Sequence, residues 1–202
     1  MELLDLEPAA TTLTGLLHGV RDDQLGRPTP CENTSVAALL DHLMSLSLAF
    51  TWGARKSGPD GSPGGGAPPA PPSAENLDPQ WRQKLPERLQ QLVAAWRDPE
   101  AWQGTTQAGG VTMPADQMGV VALDELVLHG WDLARATGQR FTADAQSAAA
   151  VLGFTAEMAK PEHAPHREGL FGPVVDVPTG ASDFDRALGY AGRDASWQPP
   201  TK

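Results

Sequence analysis

Pro114-Ala-Asp-Gln-Met-Gly-Val-Val-Ala-Leu-Asp-Glu-Leu-Val-Leu-His-Gly-Trp-Asp-Leu-Ala-Arg-Ala-Thr-Gly138 carries the clearest helical pattern in the chain. Met118, Val121, Ala122, Leu126, Leu128, Leu133 and Ala136 recur at helical spacing. Pro114 suits the start of a helix and Gly138 a cap at its end. Two residues do not belong on such a stripe. Glu125 and His129 stand four apart, one turn from each other on one side. Val121, Ala122, Leu128 and Asp132 continue that side. A carboxylate and an imidazole on an apolar side are costly unless they pair or bind a metal ion.

The same periodicity predicts further helices on either side. Leu13, Leu16, Leu17 and Val20 mark one over Pro8 to about Val20. The Pro-rich segment Arg27–Asn33 reads as a loop, because each proline pushes its predecessor out of the helical region. Thr34 or Ser35 then caps a second helix carrying Val36, Leu39, Leu40, Leu43, Leu46 and Phe50. A third opens with Asp78 as cap and Pro79 in its first turn, and runs through Trp81, Leu85, Leu89 and Trp96. Pro86 lies inside that pattern and predicts a kink or break. Residues 101–112 read as loop or short strand. A fifth helix follows Thr142 from about Ala143 to Met158, and a last short one is capped by Ser182 or Asp183. Residues 161–166 read as loop, and Phe171–Val177 as a short extended segment. The prediction is an all-α protein: a single domain over residues 1–202, built on a helix bundle, with a short irregular C-terminal tail. Between the second and third helices, 11 of the 17 residues in Ser57–Ser73 are Gly or Pro, so 57–73 is predicted to be a flexible insertion.

Composition bounds the function. The chain carries 15 Lys+Arg against 25 Asp+Glu, a formal net charge of −10, which disfavours phosphate backbones and anionic membranes. The prediction is therefore a small-molecule substrate, with no nucleic acid and no membrane, in a monomer or homodimer. No apolar run approaches a transmembrane span, and Met1–Ala10 has neither a basic start nor a long apolar core. A lone cysteine, Cys31, rules out an internal disulfide and a cysteine-based zinc cluster. These features together predict a cytoplasmic location.

The polar residues on core faces are the candidates for chemistry. His42 stands at the margin of the second helix's apolar face, with Ala38, Leu39, Ser45 and Leu46 as helical neighbours. A histidine from a facing helix, added to Glu125 and His129, would supply three ligands. Carboxylate and imidazole suit zinc first, and also nickel or iron. Three protein ligands leave a position open, as in catalytic sites. On spacing alone, a hydrogen-bonded Glu–His pair explains the same residues. Asp132, three residues after His129, either accepts a hydrogen bond from that imidazole's free nitrogen or pairs with Arg135 on the surface. Asp41 reads as solvated and Cys31 as an inert loop residue. His163 and His166 read as surface loop residues, and His18 as a charge partner for its helix's C-terminus. Trp52, Trp81, Trp96 and Trp131 read as core.

Three segments together resemble a known family. They are Leu123–Gly138, Thr29-Pro-Cys-Glu-Asn-Thr-Ser-Val-Ala-Ala-Leu-Leu-Asp-His-Leu43, and the tail from Phe171-Gly-Pro-Val-Val-Asp-Val-Pro178 to Arg193-Asp194. They resemble the actinobacterial metal-binding branch of the DinB-like superfamily, which includes the N-terminal domain of mycothiol-dependent maleylpyruvate isomerase. The resemblance implies a DinB-like four-helix bundle with a divalent metal at one end, its ligands falling on His42, Glu125 and His129. It implies a low-molecular-weight thiol, mycothiol, as cosubstrate. It assigns no catalytic acid, base or arginine.

The leading expectation is a metal-dependent mycothiol S-transferase or isomerase acting on a small electrophile. The alternatives are a thiol-independent metal-dependent hydrolase or lyase/cyclase working on a natural-product intermediate, and a non-catalytic metal- or ligand-binding protein.

Overall fold

A computed structural model describes residues 3–58, 61, 70–167 and 170–200, apart from the side chain of His166. Residues 59, 60 and 62–69 of the expected insertion lie outside the described residues. The chain is mostly helical. Helix α1 spans Glu7–His18, α2 Val36–Arg55, α3 Trp81–Trp96 and α4 Ala115–Thr137. Between α3 and α4 a short antiparallel hairpin pairs β1, Thr105–Ala108, with β2, Val111–Pro114. Helices α5, Ala145–Met158, α6, Ala164–Arg167, and α7, Asp183–Tyr190, follow.

Four of these helices close a ring: α1 packs on α3 and α4, and α2 packs on α3 and α4. Their apolar stripes meet inside it, where Leu13, Leu39, Leu40, Leu85 and Leu123 have no exposed surface. That is the expected bundle. Helix α5 packs on α4 and on α7, which attaches the C-terminal segment to the bundle's flank. Helix α2 is long and apolar enough by composition to cross a membrane, with a mean hydropathy of 1.3, but 67% of that window is buried inside the fold. Its apolar surface belongs to the core.

Several local expectations shift. Helix α3 runs unbroken through Pro86. Proline there forfeits one hydrogen bond, to the carbonyl of Arg82 near the helix start, while buried Leu85, Leu89 and Leu92 hold the helix down. The helix also starts at Trp81, later than expected. Asp78 instead shapes the turn before it, accepting from the Gln80 N–H at 2.8 Å and from Lys84 Nζ at 2.5 Å. Asp144, not Thr142, caps α5, accepting from the Ser147 N–H at 3.0 Å. Residues Pro161–Arg167 form a 3₁₀ turn and α6 rather than a loop, with Pro161 and Pro165 at early positions where a missing N–H costs little. Phe171–Val177 forms no strand; the Val175 N–H donates to the Gly189 carbonyl at 2.9 Å and ties the segment to α7.

Candidate metal centre

The loop ahead of α2 is closed on itself: Thr29 donates from its N–H and its hydroxyl to the Thr34 carbonyl, at 3.0 and 2.9 Å. Ser35 then caps α2, its Oγ accepting from the Ala38 N–H at 3.2 Å. With the helix start pinned, His42 projects toward α4, where Glu125 and His129 stand one turn apart. The structure brings these three together. Their donor atoms all lie within 4.8 Å of one another. Glu125 Oε2 is 2.9 Å from His129 Nε2 and 3.6 Å from His42 Nε2. The two imidazole rings meet edge to face, 5.0 Å between centroids. Side-chain exposure is 26% for His42, 22% for Glu125 and 9% for His129, so the cluster is open on the His42 side.

The donor set fits a divalent ion. Ligands about 2.0–2.2 Å from a tetrahedral metal lie roughly 3.3–3.6 Å from each other. The spacings here bracket that range. Two imidazole nitrogens and one carboxylate oxygen are the donors zinc takes in three-ligand sites.

The electrostatics of the metal-free cluster are set by the same contacts. Burial would raise the Glu125 carboxyl, but hydrogen bonds from His129 and His42 hold it well below the usual carboxylate range. Burial would lower His129, but its hydrogen bonds to Asp132 and Glu125 push it up to about 10. Without a metal, His129 is thus an imidazolium between two carboxylates.

Asp132 has no exposed surface, and its Oδ2 accepts from His129 Nδ1 at 3.0 Å. The surface pair with Arg135 does not form. Arg135 instead donates from Nε to the Trp197 carbonyl at 3.0 Å, over the buried Trp131 ring. The cation that meets Asp132 is Arg193, buried to 6% exposure, donating from Nη2 to Oδ2 at 3.0 Å and leaning from Nε toward Oδ1 at 3.4 Å. Burial works against the Asp132 carboxylate, yet the Arg193 charge and the His129 hydrogen bond keep it below its ordinary range.

Sequence reasoning missed two residues. Arg193 closes the tail segment that carries the family resemblance, but it is separated from Asp132 by 61 positions, and nothing local marks the pairing. Asp124 is 2% exposed, its Oδ1 has no partner among the described residues, and burial followed by the charge of Glu125 raises it well above the carboxylate range. A signal for it existed: its helical neighbours Val120, Val121, Val127 and Leu128 are all apolar.

The remaining candidates stand apart from the cluster. Asp41 is half-buried and accepts from the Ser73 N–H at 3.1 Å, so it anchors the chain before α3 rather than being merely solvated. Cys31 is half-buried and accepts from the Thr34 hydroxyl at 3.6 Å. His163 pairs with Glu157 at 3.2 Å, and the side chain of His166 lies outside the described residues. His18 is exposed in the last turn of α1. Trp81 and Trp96 are core, while Trp52 is half-buried.

Comparison with solved structures returns the same fold. The crystal structure of a mycothiol-dependent maleylpyruvate isomerase superposes with a TM-score of 0.65 at 16% identity, over 99% of each chain. A histidine-to-alanine mutant of a mycothiol-dependent maleylpyruvate isomerase gives 0.56 at 17% identity, over 77% of this chain and 72% of that one. No curated protein sequence matches. Residues 6–134, well over half the chain, match the sequence family described as the mycothiol maleylpyruvate isomerase N-terminal domain, and the chain belongs to that family.

Proposed function

We propose that this chain, as one domain, is a metal-dependent enzyme that uses mycothiol or a similar low-molecular-weight thiol on a small electrophilic substrate, as an S-transferase or isomerase. The observation that carries the reading is the convergence of His42, Glu125 and His129 at the partly open junction of α2 and α4. Membership of a family defined on a mycothiol-dependent enzyme supports the thiol.

In this reading His42 and His129 present nitrogen donors and Glu125 an oxygen donor. A divalent metal held there, zinc first and nickel or iron next, would supply Lewis acidity that favours the ionised form of a thiol near neutral pH. Glu125 lowers the net charge of the site. Asp132 accepts a hydrogen bond from Nδ1–H, which leaves Nε2 as the lone-pair nitrogen facing Glu125 and His42. The exposed side of His42 leaves room for substrate to approach.

The test is turnover of a panel of electrophilic alkenes and epoxides, with and without mycothiol and with and without chelator. Chelator-sensitive, thiol-dependent turnover is the expected result. Turnover without thiol would replace the reading with a hydrolase or lyase, and metal binding without any turnover with a binding protein.

A further inference from the structure

Arg193 lies far beyond the matched residues 6–134, yet its guanidinium reaches His129 through a single carboxylate. We propose that the C-terminal segment completes the metal centre, with Arg193 as a positioning residue that fixes Asp132 and thereby the orientation of the His129 imidazole. The inference rests on the reading of His42, Glu125 and His129 as metal ligands.

One oxygen does double duty. Asp132 Oδ2 accepts from His129 Nδ1 and from Arg193 Nη2, both at 3.0 Å. A carboxylate with no exposed surface and only an imidazole for company could rotate about its Cβ–Cγ bond and release the ring. The guanidinium fork stops that rotation, because its Nε and Nη2 face the two oxygens and set the carboxylate plane. The third nitrogen, Nη1, is spent on the Ala191 carbonyl at 2.9 Å, so the fork itself cannot swing. An ammonium group on a flexible stem offers no such plane.

The segment is built to deliver that fork. Ala187, Leu188 and Ala191 are fully buried, and the Arg193 N–H donates to the Leu188 carbonyl at 2.8 Å. Gly192 sits at φ +78°, and a Cβ there would meet the backbone of Gly172 at 2.7 Å, so two strands of backbone touch where only glycine fits. Arg167 bonds the carbonyls of Gly172 and Tyr190 and holds the same two strands together. These anchors do not involve the Arg193 side chain, so the segment keeps its place when that side chain is changed.

The test is zinc affinity of the full-length chain by chelator competition, together with melting temperature, for wild type, Arg193→Lys, Arg193→Met, Asp132→Asn and the double Asp132→Asn/Arg193→Met. Arg193→Met is expected to weaken zinc by about 10–100-fold. Arg193→Lys should recover only part of that loss. Asparagine can accept from Nδ1 without a counter-charge, so Arg193→Met should add less than about threefold once residue 132 is asparagine. Zinc affinity unchanged in Arg193→Met, with only a lower melting temperature, would reduce Arg193 to a structural cation and overturn the proposal. So would losses that multiply in the double variant. A wild-type chain that binds neither zinc nor nickel nor iron would instead overturn the ligand reading, and this role with it. Should Arg193→Met not fold, Arg193→Lys and the double variant, which buries no unpaired charge, still decide the matter.

Discussion

If His129 is a metal ligand, metal binding must expel its proton, and the structure sets how much that costs. In the metal-free chain burial disfavours the imidazolium, but the hydrogen bonds to Asp132 and Glu125 outweigh it and hold the ring's pKa up to about 10. The proton stays on the ring throughout the neutral range, and the metal needs the lone pair it occupies. At about pH 7.5 removing it costs about 3 kcal/mol, at 1.36 kcal/mol per pH unit below the pKa. The sign follows. Affinity is low where the ring is protonated, rises about tenfold per pH unit, and levels off once the pH passes about 10. Between about pH 7.5 and 9, above the range of an ordinary imidazole, zinc should bind roughly 30-fold more tightly. Calorimetric titration in buffers of different ionisation enthalpy would measure the protons released, and about one per metal is expected in that window. Affinity that stays flat from about pH 7.5 to 9, with no proton released, would rule out an imidazolium that must lose its proton to the metal. His129 would then be neutral before binding, or not a ligand.

Three further outcomes are expected. His129→Ala should reduce zinc content to background in elemental analysis and lower stability by about 1–3 kcal/mol, because buried Asp132 loses a donor, while circular dichroism stays strongly helical. Cys31→Ser should keep thiol-dependent turnover within about threefold of wild type, since in the proposed function the reacting sulfur belongs to the cosubstrate; a loss of several orders of magnitude in a folded variant would make Cys31 the nucleophile. Pro86→Ala should stabilise the chain by about 1–3 kcal/mol, restoring the hydrogen bond to the Arg82 carbonyl, and thermal unfolding should shift upward by several degrees.

What could be read in the sequence was whatever a single helix carries. Helix α4 begins after Pro114 and ends at Gly138, which adopts φ +74° as a C-cap should. Its periodicity put Glu125 and His129 on one side, and they are 2.9 Å apart. Cap choice was less legible. Thr142 and Asp144 are both good caps by residue type, and only the chain's path to Ser147 selects Asp144. Pro86 misled for a related reason: a propensity of a few kcal/mol counts heavily in an isolated helix, but here three buried leucines on the same helix oppose it.

Residues that meet across elements obey no period. His42 could be placed at the margin of α2's apolar face, but the opposition of that face to α4 came from family resemblance, not from spacing. Asp132 is the instructive case. Sequence alone left it between the His129 ring and Arg135, because both lie three residues away on the same helix. The choice is made by burial. A carboxylate with no exposed surface needs a cation that can follow it inside, and Arg135 is held toward the tail by the Trp197 carbonyl. Arg193 arrives from a segment with its own small core, so the charge balance of the candidate metal centre depends on the docking of α7 against α5. A proposed ligand on α4 is thus tuned by a contact that no window of consecutive residues contains.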